Sequence, residues 1–343
     1  MISVPSNYDG HAHTYDGDWD GLFKKSWTNN PAWILYDLLT NPRYGMGSFY
    51  TFDVDKMDFY DAAQFCDELV DDGNGNLVPR YTWNGLIDQQ KMGREVVMDI
   101  AASFNGILYE DNSGSVRLKV PRDDDPAVHI FTPSNVYEGL FNYSFSDPSV
   151  WYNSVSVTFI NEAQGWIQDQ RVVEDTEAIA KYGKNEVSAN LIGCTSVQEA
   201  VRKAWFALLS YTTETLSVSF NTTREGLNCN VGDVILISDP DMNSGQSGRL
   251  TSVSEDRLTA YTRDEMFIES AIVGGGINYY CDFQVGDKIL SYQLVPDGVG
   301  YVKTLKFDVP LDEHIDQYTV YTLRTDQLTD VGNAKPYRVT MIK

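Results

Sequence analysis

Two histidines with one residue between them, His11 and His13, make an HxH pair near the start of the chain. On an extended segment both would point the same way, and with Asp16, Asp18 and Asp20 just downstream they could hold a divalent metal. Their setting, "GHAHTYDGDWD", is rich in Gly and aromatics, and only His129 and His314 occur elsewhere. A solvated loop is the plainer reading. A second pattern, "DPDMNSG", puts Asp239, Asp241 and Asn243 at the first three odd positions of a calcium loop. Such a loop also wants Gly at its sixth position and Glu at its twelfth. Ser244 and Leu250 stand there, so the stretch reads as a β-turn whose calcium candidates lack a full ligand set.

Paired carboxylates could serve glycoside hydrolysis, and Asp123 with Asp125 or Asp312 with Glu313 are natural nominees. In a chain with 49 acidic residues such neighbours arise by chance, and spacing along a sequence does not set the separation of roughly 5 to 9 Å that the reaction needs. No GxSxG places a serine nucleophile. The "GGG" at 274–276 runs into Ile277, Asn278 and Tyr279, with no lysine to reach a phosphate. Trp151 and Tyr152 could stack on a sugar, although buried sheet positions explain such pairs more often. No catalytic residue and no cofactor is expected.

Charge narrows the partners. With 26 Lys and Arg against 49 Asp and Glu the net charge is −23. A chain so acidic would repel a nucleic-acid backbone or an anionic membrane surface. Cys66, Cys194, Cys229 and Cys281 are too far apart in sequence for a CxxC pair, and read as packed or reduced thiols. The start, "MISVPSNYDGHAH", has neither a basic n-region nor an apolar core. No run approaches the roughly 18 apolar residues of a membrane helix. The reading is a soluble protein made in the cytoplasm.

The elements that would position any site are clearer. In "TNNPAWILYDLLTNPRYGMG" Asn30 can cap, Pro31 suits a first helical turn, and Ile34, Leu35, Leu38 and Leu39 form a stripe. Pro42 disfavours a helical Asn41. Residues 1–27 read as an extended arm with turns. A second helix starts near Asp55, its face Phe59, Ala62, Ala63, Cys66, Leu69 and Val70, and "DDGNGN" ends it. A third spans roughly 92–104 and enters a hairpin with its turn at Asp111 to Gly114. "PRDDDP" (121–126) reads as a solvated loop. After Phe141 strands dominate; a short helix at Thr176 to Tyr182 stops at Gly183. Ser196 with Glu199 makes a capping box, and the helix behind it should bury Val201, Ala204, Trp205, Leu208 and Leu209. "VGDVILI" is a buried strand.

These readings give an α+β fold, mostly β, in three parts. Residues 1–140 would hold the arm, three helices and a hairpin. Residues 141–239 would hold strands with a flanking helix at 197–210. Residues 240–343 would form a small β domain, inserted in or packed on the one before. The close, "KPYRVTMIK", reads as the middle of a strand, as in an excised fragment.

Five blocks in order carry a resemblance: "TYDGDWDGLFKKSWTNNPAWILYDLLTNPRYGMG", "VDKMDFYDAAQFCDELVDDGNG" with "PRYTWNGLID", "YSFSDPSVWYNSVSVTF", "IGCTSVQEAVRKAWFALLSYTTETLSVSF" and "EGLNCNVGDVILISD". Together they resemble the tip attachment protein J family of lambda-like siphophages, also called host-specificity protein or central tail fibre, through about residue 260. The stretch 261–335 matches loosely and "KPYRVTMI" again well.

The resemblance implies hub-like β domains with flanking helices, assembled as a homotrimer that closes the tail tube at the virion's tail tip. Other tail-tip, distal tail and tape-measure proteins would be its partners. Contact with a host outer-membrane receptor belongs to family regions outside this sequence. What carries over is scaffold: Asn30, Pro31, Ala32 and Trp33 at the helix start, Arg43, Tyr44 and Gly45 at its exit, and Gly226, Gly232 and Asp233 at turns. No catalytic residue transfers. A tail-associated cell-wall or polysaccharide hydrolase, or a carbohydrate- or receptor-binding module, is the alternative.

Overall fold

Asn30 starts the first long helix as its type leads one to expect. In a computed structural model of the chain, its Oδ1 accepts from the backbone N–H of Ala32 at 3.0 Å and of Trp33 at 3.4 Å. Two of the helix's otherwise unpaired donors are satisfied in this way. Helix α1, Pro31–Thr40, buries Trp33, Leu35 and Leu39 and stops at Asn41, before Pro42. Its exit requires glycine. A Cβ on Gly45 would lie 2.2 Å from the Leu38 carbonyl oxygen, and one on Gly47 2.2 Å from that of Thr40.

The structure describes residues 1–48, 53–87, 90–111, 113–147, 150–243, 246–268, 278–295, 300–326 and 334–342, with Asn243 by its backbone alone. Gly274 to Gly276 lie outside them. The chain divides into two units, residues 1–121 with 145–217 and residues 122–144 with 218–343.

In the first unit, α1, α2 (Lys56–Asp67) and α3 (Gly93–Ser103) share a core of Trp33, Phe59, Ile100 and Phe104. Ile107–Glu110 pairs antiparallel with Ser115–Lys119 at its edge. The N-terminal residues are more ordered than an arm: Ile2–Pro5 pairs with Phe23–Ser26 and Tyr8–Asp9 with Thr14–Tyr15. Val4 and Tyr8 are fully buried, because the aromatic residues of this segment pack on Trp33 and Tyr60. Helix α2 ends at Asp67, one turn earlier than its apolar spacing suggests. Leu69–Asp71 instead pairs with Leu77–Pro79. Asp71 and Asp72 accept backbone N–H groups from Gly73 to Asn76, folding "DDGNGN" into the hairpin's turn.

The same unit holds a two-layer element. Ser154–Asn161 pairs antiparallel with Ile167–Glu174 and parallel with Glu186–Asn190. Helix α4, Thr176–Tyr182, lies in the crossover and ends at Gly183. Helix α5, Val197–Thr213, covers one sheet face, with Ala200, Ala204 and Leu208 against Val155, Val157, Phe159 and Val173. Trp205 and Leu209, expected in this core, are exposed. The buried positions recur every four residues and are mostly Ala, so the helix sits close on a narrow stripe. The bulky residues one position on are rotated outward.

In the second unit Ala127–Phe131 runs parallel to Val234–Ile237, which pairs antiparallel with Lys335–Arg338. Between those last two strands the chain builds a six-stranded antiparallel sheet. Its order is Lys288–Gln293, Tyr279–Val285, Val320–Thr325, Ser247–Val253, Thr259–Ile268, Gly300–Lys306. Alternate residues, among them Leu250, Phe283, Leu305 and Leu323, form its core. Among the described residues the fold is thus α+β with strands predominating.

Candidate functional site

The residues that invited a chemical reading are held apart. His11 stacks on Trp27 with ring centroids 4.7 Å apart, while His13 turns inward and its Nδ1 meets Asp67 Oδ1 at 2.5 Å. The positive φ of His13, 55°, breaks the extended geometry that would have aligned the two rings. Asp239 is buried and accepts the Tyr143 hydroxyl at 2.8 Å and the Asp241 N–H at 3.0 Å, at the head of the short helix Pro240–Asn243. Asp241 is exposed, and the Asn243 side chain lies outside what is described. Among the described residues no group of three or more His, Cys, Asp or Glu side chains converges as a metal set.

The carboxylate pairs also separate. Asp125 accepts from Arg338 Nη1 at 2.7 Å and from the Arg122 N–H at 3.0 Å, whereas Asp123 is exposed. Asp312 caps its own loop, taking the His314 N–H and Nδ1 at 2.9 Å, and Glu313 faces solvent. Trp151 is partly exposed and donates to Ser146 Oγ at 2.7 Å, while Tyr152 meets Tyr211 edge-on at 5.0 Å. Among the described residues, a cavity of about 210 Å³ beside Trp83, Leu86, Val96 and Ile192 is lined by Lys91 and Asp99 as its ionisable groups. These two pair with each other at 3.0 Å.

Buried charge is concentrated elsewhere, at joints. Asp67 takes the Tyr15 hydroxyl at 2.9 Å besides His13, tying the N-terminal strands to α2. Burial first and Asp67 second push the Tyr15 phenol far up, so it stays a donor. Asp37, buried within α1, accepts from the Ser3 N–H at 2.9 Å and from the Tyr44 hydroxyl. Burial would raise its carboxyl, but Tyr44, Ser3, Lys25 and Asn41 together hold it below the ordinary value.

Glu199 was expected to close a capping box. Ser196 Oγ does accept the Glu199 N–H, at 3.5 Å, but the carboxylate points away from the cap. It takes Lys203 Nζ at 2.6 Å and the half-buried Thr82 Oγ1 at 2.9 Å. Alongside, Arg202 donates to the Arg80 carbonyl at 2.7 Å and Asn84 N–H to that of Gly193 at 2.8 Å. The two layers containing α5 are thereby fastened to the three-helix core.

In the second unit Glu225 does comparable work. Its Oε1 accepts Arg249 Nη2 at 2.8 Å, its Oε2 accepts Asn135 Nδ2 at 2.7 Å, and His129 Nε2 lies 3.5 Å away. His129 foremost, then Arg249 and Asn135, outweigh burial and bring its carboxyl down to about 2. Arg249 also donates to the Tyr318 carbonyl at 2.9 Å. A carboxylate so saturated is a poor base and is never an acid near neutral pH. Apart from the short-range pairs of Glu199 with Lys203 and of Asp37 with Tyr44, these joints could not be read from spacing, since their partners, such as Thr82 for Glu199 and Asn135 for Glu225, lie tens of residues away.

These observations describe side chains engaged in holding the sheets and helices of the chain together. A family model described as "Putative phage tail protein" matches residues 92–253. The tip attachment protein J of Escherichia phage SECphi27 is 39% identical over 306 residues, covering 89% of this chain and 24% of that protein. That of Escherichia phage SECphi4 is 32% identical over 271 residues, covering 77% and 23%. The family resemblance is borne out, and the chain is a homologue of tip attachment proteins J that spans about a quarter of these relatives' length. Among solved structures, a chain of the virion of a native gene transfer agent particle is 12% identical with a TM-score of 0.43, over 83% of this chain and 50% of that one. A tail protein from Neisseria meningitidis MC58 is 10% identical with a TM-score of 0.37, over 74% and 60%.

Proposed function

We propose that this chain is a structural part of a siphophage or prophage tail tip. It would form a section of the trimeric hub that closes the tail tube, made in the host cytoplasm and built into the virion. The observation that carries this is the 39% identity to a tip attachment protein J across nearly nine-tenths of the chain. The joints support it, because a ring subunit must present its neighbours with surfaces at fixed angles. Saturated buried ion pairs resist the rearrangement that loose apolar packing would allow. Among the described residues no helix is long and apolar enough to cross a membrane. The net charge of −23 adds a role for the lumen, where acidic walls would let DNA pass without adhering.

Immunogold labelling of intact particles with antibody to this chain tests the reading. Label at the distal end of the tail is expected, and label on the capsid or along the tube would overturn it. In a separate assay, release of muropeptides or glycan fragments by the purified chain would favour a hydrolase instead.

A further inference from the structure

Two strands of the six-stranded sheet turn a small array of side chains outward. On Thr259–Ile268 and Gly300–Lys306, Met266, Ile268 and Val302 pack toward the core. The residues that alternate with them face away from it. Phe267 and Tyr301, opposite each other in the register, have ring centroids 5.2 Å apart and are 44% and 74% exposed. Beside them Lys303 Nζ lies 3.8 Å from Glu265 Oε1, and both side chains are more than half exposed. The backbone under Phe267 is held from the opposite side. The Gln246 side chain accepts its N–H and donates to its carbonyl at 2.9 Å. Both backbone groups of Phe267 thus turn away from Tyr301, which makes these two a non-hydrogen-bonded pair, the kind whose side chains stand closest. A cross-strand aromatic pair also steadies a sheet. That role needs contact between the rings, and does not need Tyr301 to stand so far out in water.

We propose that this array is a binding site for a neutral glycan. The electron-rich faces of Phe267 and Tyr301 take the C–H face of one sugar ring. Glu265 and Lys303, each two positions along its strand and so about 7 Å away, reach hydroxyls of that ring or the next. The carboxylate accepts from a hydroxyl and the ammonium donates to one. Charge separates this ligand class from others that stack on aromatic rings. Glu265 and Lys303 cancel, so the array has no net attraction for a phosphate backbone or an acidic polysaccharide, and the chain's charge of −23 opposes both. A neutral sugar is indifferent to that field. The backbone clamp by Gln246 fixes the aromatic pair before the ligand arrives, which lowers the cost of binding. The inference goes beyond the tail-tip reading and does not depend on it.

Isothermal titration calorimetry of the full chain tests this, with maltohexaose, cellohexaose and chitohexaose as neutral probes and polygalacturonate and a single-stranded oligothymidylate as anionic ones. Saturable binding of at least one neutral oligosaccharide is expected, with neither polyanion bound. Tyr301→Ala should weaken that binding about tenfold. Its thermal midpoint should stay unchanged, because the side chain is so exposed. Lys303→Met should weaken binding as well, though less. Trp205→Ala, which removes an exposed aromatic of the other unit, should bind as the wild-type chain does. The proposal is overturned by no binding of any neutral probe, by polyanions bound as well as the neutral sugars, by a Tyr301→Ala chain that binds like wild type, or by an equal loss in Trp205→Ala. None of these results alters where the antibody label falls on the particle, so failure of this site and failure of the tail-tip reading are told apart.

Discussion

The side-chain amide of Gln284 bonds to the backbone of Ile130 as a neighbouring strand would. Its Oε1 accepts the Ile130 N–H at 2.9 Å, and its Nε2 donates to the Val128 carbonyl at 3.0 Å. One side chain of the six-stranded sheet thereby continues the ladder of Ala127–Phe131. The buried hydroxyls of Ser238 and Thr322, 3.2 Å apart, make a second link between the same two sheets. Replacing Gln284 by Ala leaves the Ile130 N–H and the Val128 carbonyl without this partner, at a cost of about 1–3 kcal/mol. Denaturant unfolding should show a lower midpoint. An unchanged midpoint would mean that water replaces the amide at no cost.

The exit of α1 makes a sharper demand. With Cβ 2.2 Å from the Leu38 carbonyl oxygen, Gly45→Ala cannot be accommodated without moving backbone. A loss of about 2 kcal/mol or more is expected. The Tyr44 hydroxyl, which donates to Asp37 from the same turn, would be displaced with it. Thermal unfolding of Gly45→Ala beside Tyr44→Phe measures both, and the glycine variant should fall further.

Glu225 sets an acid limit. Its carboxyl is brought from an ordinary 4.5 to about 2 in the fold. A depressed folded value contributes stability that is complete above the unfolded value and drains away as pH falls from about 4.5 toward 2. Because the side chain retains some exposure, screening reduces the effect to about 2 kcal/mol. Urea titrations at pH 7 and pH 3 should show that Glu225→Gln is less stable than wild type at neutral pH and that the gap narrows at pH 3. A constant gap would contradict the assignment.

Helix signals in this sequence were legible because capping and proline chemistry act over a few residues. Asn30 before Pro31, Asp55 before Lys56 and Asp175 before Thr176 all cap the helices their types imply. Leu69, Trp205 and Leu209 were misread because apolar spacing says which residues share a face and not which partner covers that face. Leu69 went to a hairpin and the other two to the surface. The joints were illegible for a related reason. Nothing in the sequence around Gln284 marks it as the partner of Ile130, 154 positions away. Glu199 shows how a local motif can mislead, since its spacing from Ser196 fits a cap while its carboxylate serves Lys203 and Thr82.

That last pair permits a double-mutant cycle. Glu199 and Lys203 have side chains only 4% and 10% exposed, so each charge relies on the other for compensation. Lys203→Met leaves an uncompensated carboxylate among α5, Tyr81 and Thr82, and should cost about 3–5 kcal/mol. Glu199→Gln alone leaves the ammonium stranded and should also be costly. The double variant removes both charges, while the amide oxygen introduced by Glu199→Gln can still accept from Thr82, so much of the loss should return. A coupling energy of about 2 kcal/mol or more by chemical denaturation would show that the pair holds α5 as a unit. Strictly additive losses would show instead that α5 is held by its Ala200, Ala204 and Leu208 stripe, with the ion pair merely tolerated beside it.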